Sequence, residues 1–252
     1  MFGRNIPIKP VYEPRSKLNV IKVWPTIQGE GPFTGSPAIF VRLAGCNLRC
    51  YFCDTEFSEG AREVEIPSLV EAVDNASPFR TDLVVITGGE PLAQPIAPFI
   101  AALASRGYHV QIETAGTVWQ EGIEDLYDGG YASIVCSPKT ATVHKGVIQY
   151  CRHWKYIISA GKTSPQDGLP IRSTQDPYDE KSCALYRPPI RAQEDTIWVQ
   201  PCDEYRVTVE RPVPDLEHNV EKIKDNIIEC VRVAQKYGYR ISFQLHKVLG
   251  VE

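Results

Sequence analysis

Short apolar runs, each ending abruptly in small and polar residues, constrain this chain more than any other feature. Leu83-Val84-Val85-Ile86 runs into Thr87-Gly88-Gly89-Glu90-Pro91, and Val110-Gln111-Ile112 into Glu113-Thr114-Ala115-Gly116-Thr117. Ser133-Ile134-Val135-Cys136 runs into Ser137-Pro138-Lys139, and Thr196-Ile197-Trp198-Val199 into Gln200-Pro201. Brief, nearly continuous apolar runs are what strands buried on both faces require. Ala38 to Leu43 and Trp154 to Ile158 read the same way, and Ile21 to Trp24 as a short strand. Between them, Ser68-x-x-Glu71 resembles a capping box opening a helix to about Ala76, and Ile96 to Arg106 has helical spacing. Asp215 is expected to cap a long helix with Leu216, Val220, Ile223, Ile227, Val231 and Ala234 on one face, stopped by Gly238. Arg240 to His246 alternates and predicts a last strand, with Ser242, Gln244 and His246 on its polar face. Strand and helix alternate about six times, which predicts an α/β fold with a parallel sheet and crossover helices. If the sheet curves as in β/α barrels, the polar motifs gather at one mouth, at the C-terminal strand ends.

The 252 residues, 43% hydrophobic, suit a single domain over 1–252. Residues 1–20 read as an extended N-terminal arm, and 26–35 as a glycine-rich loop. Residues 159–195, heavy in proline, serine and charge, read as an insertion of partial order, because loops this long are unusual inside compact domains. A net charge of −4 and the lack of a basic arm give no nucleic-acid footprint. No run of about 18 apolar residues predicts a membrane span. The N-terminal residues lack the apolar core of a signal peptide, so a reducing cytoplasm is expected. Cys136, Cys151, Cys183, Cys202 and Cys230 then read as buried thiols.

The other three cysteines stand in Gly45-Cys46-Asn47-Leu48-Arg49-Cys50-Tyr51-Phe52-Cys53-Asp54-Thr55, spaced C-x3-C-x2-C just after a strand. Thiolates are soft ligands that select zinc, Cu(I) or iron–sulfur clusters. Structural zinc sites usually need a second CxxC pair or histidines, and no second CxxC exists here. Three thiolates on a cubane would leave one iron open. Elsewhere, Arg42 among apolar neighbours is costly unless paired, and its planar donors suit a carboxylate. A non-catalytic zinc-stabilised binding module remains an alternative.

The cysteine spacing, with Phe52 before the last cysteine, resembles the cluster loop of the radical S-adenosylmethionine (SAM) superfamily. Thr26-Ile27-Gln28-Gly29-Glu30-Gly31, Gly45-Cys46-Asn47-Leu48 and Cys53-Asp54-Thr55 narrow the likeness to the 7-carboxy-7-deazaguanine synthases of the queuosine pathway. The resemblance runs from about Trp24 onward and implies a partial (β/α)6 barrel. It implies a 4Fe-4S cluster on Cys46, Cys50 and Cys53, with SAM on the open iron, cleaved by one electron. Phe52, Asp54, Gly89, Glu90, Gly116, Ser137, Pro138, Lys139 and Gln200 would contact SAM, with Glu90 offering its carboxylate to the SAM ammonium. Thr55 would hold Mg²⁺. Ile27, Gln28, Gly29, Glu30, Arg42, Thr114, His246 and Glu252 would bind substrate, 6-carboxy-5,6,7,8-tetrahydropterin. Ala115 stands where relatives often have asparagine. A flavodoxin or ferredoxin-type electron donor and a homodimer are also implied. A glycyl-radical activase would share the cluster motif and GGEP, but not the Gln-Gly-Glu and Cys-Asp-Thr contexts.

Overall fold

The computed structural model describes residues 5–53, 55–77, 81–174, 184–189, 196–203 and 219–251. A nine-stranded sheet organises them. Six strands run parallel in chain order: β2 (Pro37–Leu43), β4 (Leu83–Gly88), β5 (His109–Thr114), β6 (Ala132–Cys136), β7 (His153–Ile158) and β8 (Thr196–Pro201). β1 (Lys17–Ile27) and β3 (Arg62–Glu65) extend one edge antiparallel, and the two-residue β9 (Arg240–Ile241) closes the other edge in parallel. Helices α1 (Ile66–Ala76), α2 (Ala97–Ser105), α3 (Ile123–Asp128), α4 (Lys145–Tyr150), α5 (Val220–Tyr237) and α6 (Leu245–Leu249) occupy the connections. Six parallel strands in chain order are the arrangement that a partial (β/α)6 barrel requires. No helix among the described residues is long and apolar enough to cross a membrane.

Both faces of the parallel strands are buried, as their apolar runs require. In β4, Val84 and Ile86 enter the main core with Phe99, Ile100 and Trp154. Leu83 and Val85 point the other way, against Ala38, with Phe33 and Phe40 packed beside them.

Several expected elements are redrawn. The first strand is longer than Ile21 to Trp24: Leu18 and Val20 are buried, Lys17 to Val20 pairs with β3, and the strand runs on to Ile27. Part of the expected arm and part of the expected loop are therefore sheet. β3, Arg-Glu-Val-Glu, is too charged to read as a strand, and charge is what keeps an edge strand from pairing further. α1 begins at Ile66, so Ser68 lies inside it and caps nothing. Pro67 occupies the first turn, where its fixed φ and missing N–H do no harm. The α5 cap is Asn219, whose side chain accepts from Lys222 N at 3.3 Å, while Asp215 and Leu216 lie outside the described residues. Gly238 ends α5 in a left-handed conformation as expected. The final strand is cut to Arg240–Ile241. The chain then turns, Leu245 N bonds to Gly29 O at 3.2 Å, and His246 sits on α6 rather than on a strand face.

The β7–β8 connection has no crossover helix among its described residues. Instead it folds on itself through bridges Thr163–Pro170 and Arg172–Ala184, and the Arg187–Asp167 ion pair at 2.5 Å. The Tyr237 and Tyr239 hydroxyls donate to Pro165 O (2.7 Å) and Asp167 O (2.9 Å), fastening it to the end of α5. Asn226 of α5 accepts from Ala160 N at 2.7 Å and donates to Cys202 O at 2.9 Å, joining the ends of β7 and β8. Asn226→Ala removes both bonds at a buried position. It should cost about 2–3 kcal/mol, read from urea unfolding of the folded chain.

Candidate active site

The C-terminal ends of the parallel strands open into one cavity of about 670 Å³. The cluster loop forms one wall, with Cys46, Cys50, Phe52, Cys53 and Thr55. β1 and the turn after it supply Ile27, Gln28 and Glu30, and β2 supplies Arg42. Thr114, Ser137, Lys139 and Gln200 come from the ends of β5, β6 and β8, and His246 from α6. Six motifs spread along the sequence therefore meet at one mouth. Pro138 faces a neighbouring cavity of about 320 Å³, which shares Phe52, Lys139 and Ile157 with the first. Gly29, Glu90 and Gly116 are not on the cavity wall, and Asp54 and Glu252 lie outside the described residues.

The cluster loop is pinned by the turn after β4. A Cβ on Gly89 would stand 2.1 Å from Gly45 O and 2.8 Å from Cys46 Cβ, so only glycine lets the two backbones meet. Glu90 N then bonds to Gly45 O at 3.0 Å. The Glu90 carboxylate turns inward and is fully buried. It accepts from Thr114 Oγ1 (2.7 Å), Ala115 N (2.8 Å) and Leu92 N (3.0 Å). Burial raises its pKa, against the pull of those donors. In this geometry the carboxylate braces two strand ends instead of offering itself to an ammonium. The Thr114 hydroxyl, expected to serve substrate, donates to Glu90 and accepts from Gly116 N at 2.9 Å.

The three motif cysteines share one wall and none is in a disulfide. Burial foremost, then the nearby Glu90 and the other two cysteines, push the Cys46 thiol up to about 12. Among the described residues no three His, Cys, Asp or Glu side chains are gathered to hold a single metal ion. The donor set nonetheless fits an iron–sulfur cluster: three soft ligands, none in a disulfide, on a cavity wall with room beside them.

A polar lattice lines the opposite side. Glu30 pairs with Lys155, and Gln200 Nε2 donates to Glu30 Oε1 at 3.2 Å. Burial alone would raise the Glu30 pKa, but the charge and hydrogen bond of Lys155, aided by Gln244 and His246, hold it down at about 2. Gln28 Nε2 donates to Glu113 Oε1 at 3.1 Å, and Thr87 Oγ1 to Glu113 Oε2 at 3.2 Å. Arg42 lies over the Trp24 ring at 5.0 Å, a cation–π distance. A Cβ on Gly29 would strike His246 Nδ1 at 2.1 Å and the α6 backbone at 2.9 Å, so this glycine lets α6 close the cavity. Burial lowers the Lys139 pKa; its ammonium bonds to the Ser137 carbonyl at 3.1 Å and to the Ser137 hydroxyl.

Sequence reasoning missed Lys155, Glu113 and Thr87. Lys155 carried a usable signal, a cation inside a buried strand, which is the argument that singled out Arg42. Lys155→Met should leave Glu30 buried without its counter-charge and cost about 3–5 kcal/mol. The Glu30 pKa is depressed on folding, so its contribution is present above about 4.5 and lost as pH falls toward about 2. In the methionine variant burial is left to raise the Glu30 pKa, so the acid loss between about pH 4.5 and 2 should shrink or reverse, seen as Tm against pH.

The radical SAM superfamily profile matches residues 41–160. The 7-carboxy-7-deazaguanine synthase of Rhodospirillum rubrum is 43% identical over 251 residues, covering 100% of both chains. That of Rickettsia prowazekii is 33% identical over 263 residues, covering 100% of this chain and 96% of the relative. The crystal structure of QueE from Escherichia coli shares the fold, with a TM-score of 0.60 at 20% identity over 91% of this chain and 94% of that one. With full-length identity of this order, and three unbridged cysteines at the mouth of the sheet, the chain belongs to the 7-carboxy-7-deazaguanine synthase family.

Proposed function

We propose that this chain is a radical SAM lyase. It converts 6-carboxy-5,6,7,8-tetrahydropterin to 7-carboxy-7-deazaguanine with loss of ammonia, within queuosine or other 7-deazapurine biosynthesis. The observation that carries the reading is that one cavity joins three unbridged cysteines to a buried lattice of hydrogen-bonding side chains. When bound, the cluster and SAM supply one-electron chemistry that removes a hydrogen from substrate and later returns it.

The chain's own residues bind, orient and shield. Cys46, Cys50 and Cys53 would hold the cluster. Phe52, Ser137, Lys139 and Gln200 line the SAM side, with Asp54, Gly89, Gly116 and Pro138 assigned there by family likeness. Glu90 serves this side by bracing the backbone of the β4 and β5 ends. Arg42 offers a planar pair of donors to the substrate carboxylate, with its own plane fixed by Trp24. Glu30, kept ionised by Lys155, presents acceptor oxygens to ring N–H groups, and Gln28 and His246 complete the grip beside Ile27, with Gly29 and Thr114 assigned to substrate by family likeness. Glu252 is assigned to substrate by likeness alone. Thr55 on the cavity wall would give Mg²⁺ one oxygen, with waters and substrate supplying the rest, as suits an ion that dehydrates reluctantly. A flavodoxin or ferredoxin-type donor, a homodimeric assembly and a cytoplasmic location complete the proposal.

Protein purified without oxygen should be brown, with about four irons per chain, and should form 7-carboxy-7-deazaguanine from SAM, reductant and carboxytetrahydropterin. Cys50→Ala should abolish product. Arg42→Met should keep its iron yet weaken substrate binding by about 2 kcal/mol or more. A colourless protein holding zinc, or an unchanged Arg42→Met affinity, would contradict the assignment.

A further inference from the structure

The β7–β8 connection reaches the cluster loop through one buried side chain. Thr174, 124 positions from Cys50, places its Oγ1 3.0 Å from Cys50 Sγ. Its backbone is held on both sides of the contact. Thr174 N donates to Lys139 O at 3.1 Å, and Tyr51 N, next to Cys50, donates to Thr174 O at 3.1 Å. A second acceptor lies near the hydroxyl, Lys139 O at 3.3 Å. That carbonyl already accepts from Thr174 N and from Ser173 Oγ (3.0 Å), which occupies both of its lone pairs. The sulfur is therefore the nearer and less crowded acceptor for this hydroxyl.

We infer that Thr174 is a positioning residue for the cluster, whose hydroxyl bond to Cys50 Sγ fastens the insertion to the cluster loop and raises the cluster's reduction potential. The inference rests on the reading that Cys50 is a cluster ligand. Reduction adds one electron, delivered by a low-potential one-electron carrier, and so one unit of negative charge that the cysteine sulfurs share. A donor aimed at one of those sulfurs stabilises the more negative state more than the oxidised one. Hydrogen bonds to the sulfurs and their exposure to solvent are recognised controls of cluster potential. No bond is made or broken at Thr174, and its proton stays on Oγ1.

The test is a dithionite titration of the anaerobically loaded full chain, followed by the EPR signal of the reduced cluster. Thr174→Val removes the donor and keeps the shape. At the potential where half the wild-type clusters are reduced, its ratio of reduced to oxidised clusters should fall about tenfold, a shift of about 59 mV for a one-electron couple. Thr174→Ser should restore the wild-type midpoint. Ser173→Ala, which loses a bond to the same carbonyl but none to sulfur, should leave the midpoint in place. A loaded valine variant with the wild-type midpoint overturns the inference. If Thr174→Val and Thr174→Ala fold by circular dichroism but hold no iron while Thr174→Ser does, the hydroxyl is needed to seat the cluster, and the inference stands. If the serine variant also fails to load, side-chain shape is responsible and the inference falls. Wild-type protein without iron removes the functional reading first, and this one with it.

Discussion

The cavity depends on a carboxylate that never faces it. Glu90 sits under the mouth, with one oxygen on the Thr114 hydroxyl and Leu92 N and the other on Ala115 N, while its own N–H holds Gly45 O. These contacts lock together the ends of β4 and β5 and the root of the cluster loop. A buried carboxylate is tolerable because its neighbours supply three donors. Gly89 makes the arrangement possible by letting the turn lie directly on Gly45, closer than any side chain allows.

On the opposite side of the mouth, charge is held in place by burial. Lys155 of β7 and Glu30 of the turn after β1 neutralise each other, and Gln200 and Gln244 contribute hydrogen bonds to the same carboxylate. Such a pair is weak evidence for stability, since removing both charges together can cost little. Its value here is orientation: Glu30 stays ionised in a site that would otherwise favour a proton. Gln28, held by Glu113 and bonded through its own oxygen to Glu30 N at 3.0 Å, carries that rigidity across to β5.

The parallel strands were legible because burial on both faces leaves an unmistakable apolar run, and because each run stops at a polar motif. The cluster loop was legible because its spacing is local. β3, α3 and α4 were not legible: four charged-edge residues and two helices of six residues are too short to establish a period. His246 was placed on a strand because alternation continued past Ile241. Pairing with β8 stops at Val199 opposite Ile241, two residues before β8 itself ends, and the chain coils into α6 instead. Pairings such as Gln28 with Glu113 or Lys155 with Glu30 join residues far apart in sequence. A residue's chemistry names such a partner type but not its position. Lys155 could have been flagged, whereas the role of Glu90 as a brace needed the geometry.

The seat of α6 on Gly29 ties the turn after β1 to a segment made long after it. During synthesis the contacts of Gly29 with Leu245 and His246 cannot exist until those residues have left the ribosome. A growing chain can lay down β1 to β8 and the thiol-bearing loop while the mouth is still open on that side. Closure therefore waits until α6 has emerged, and the growing chain offers a wider route into the pocket than the folded one.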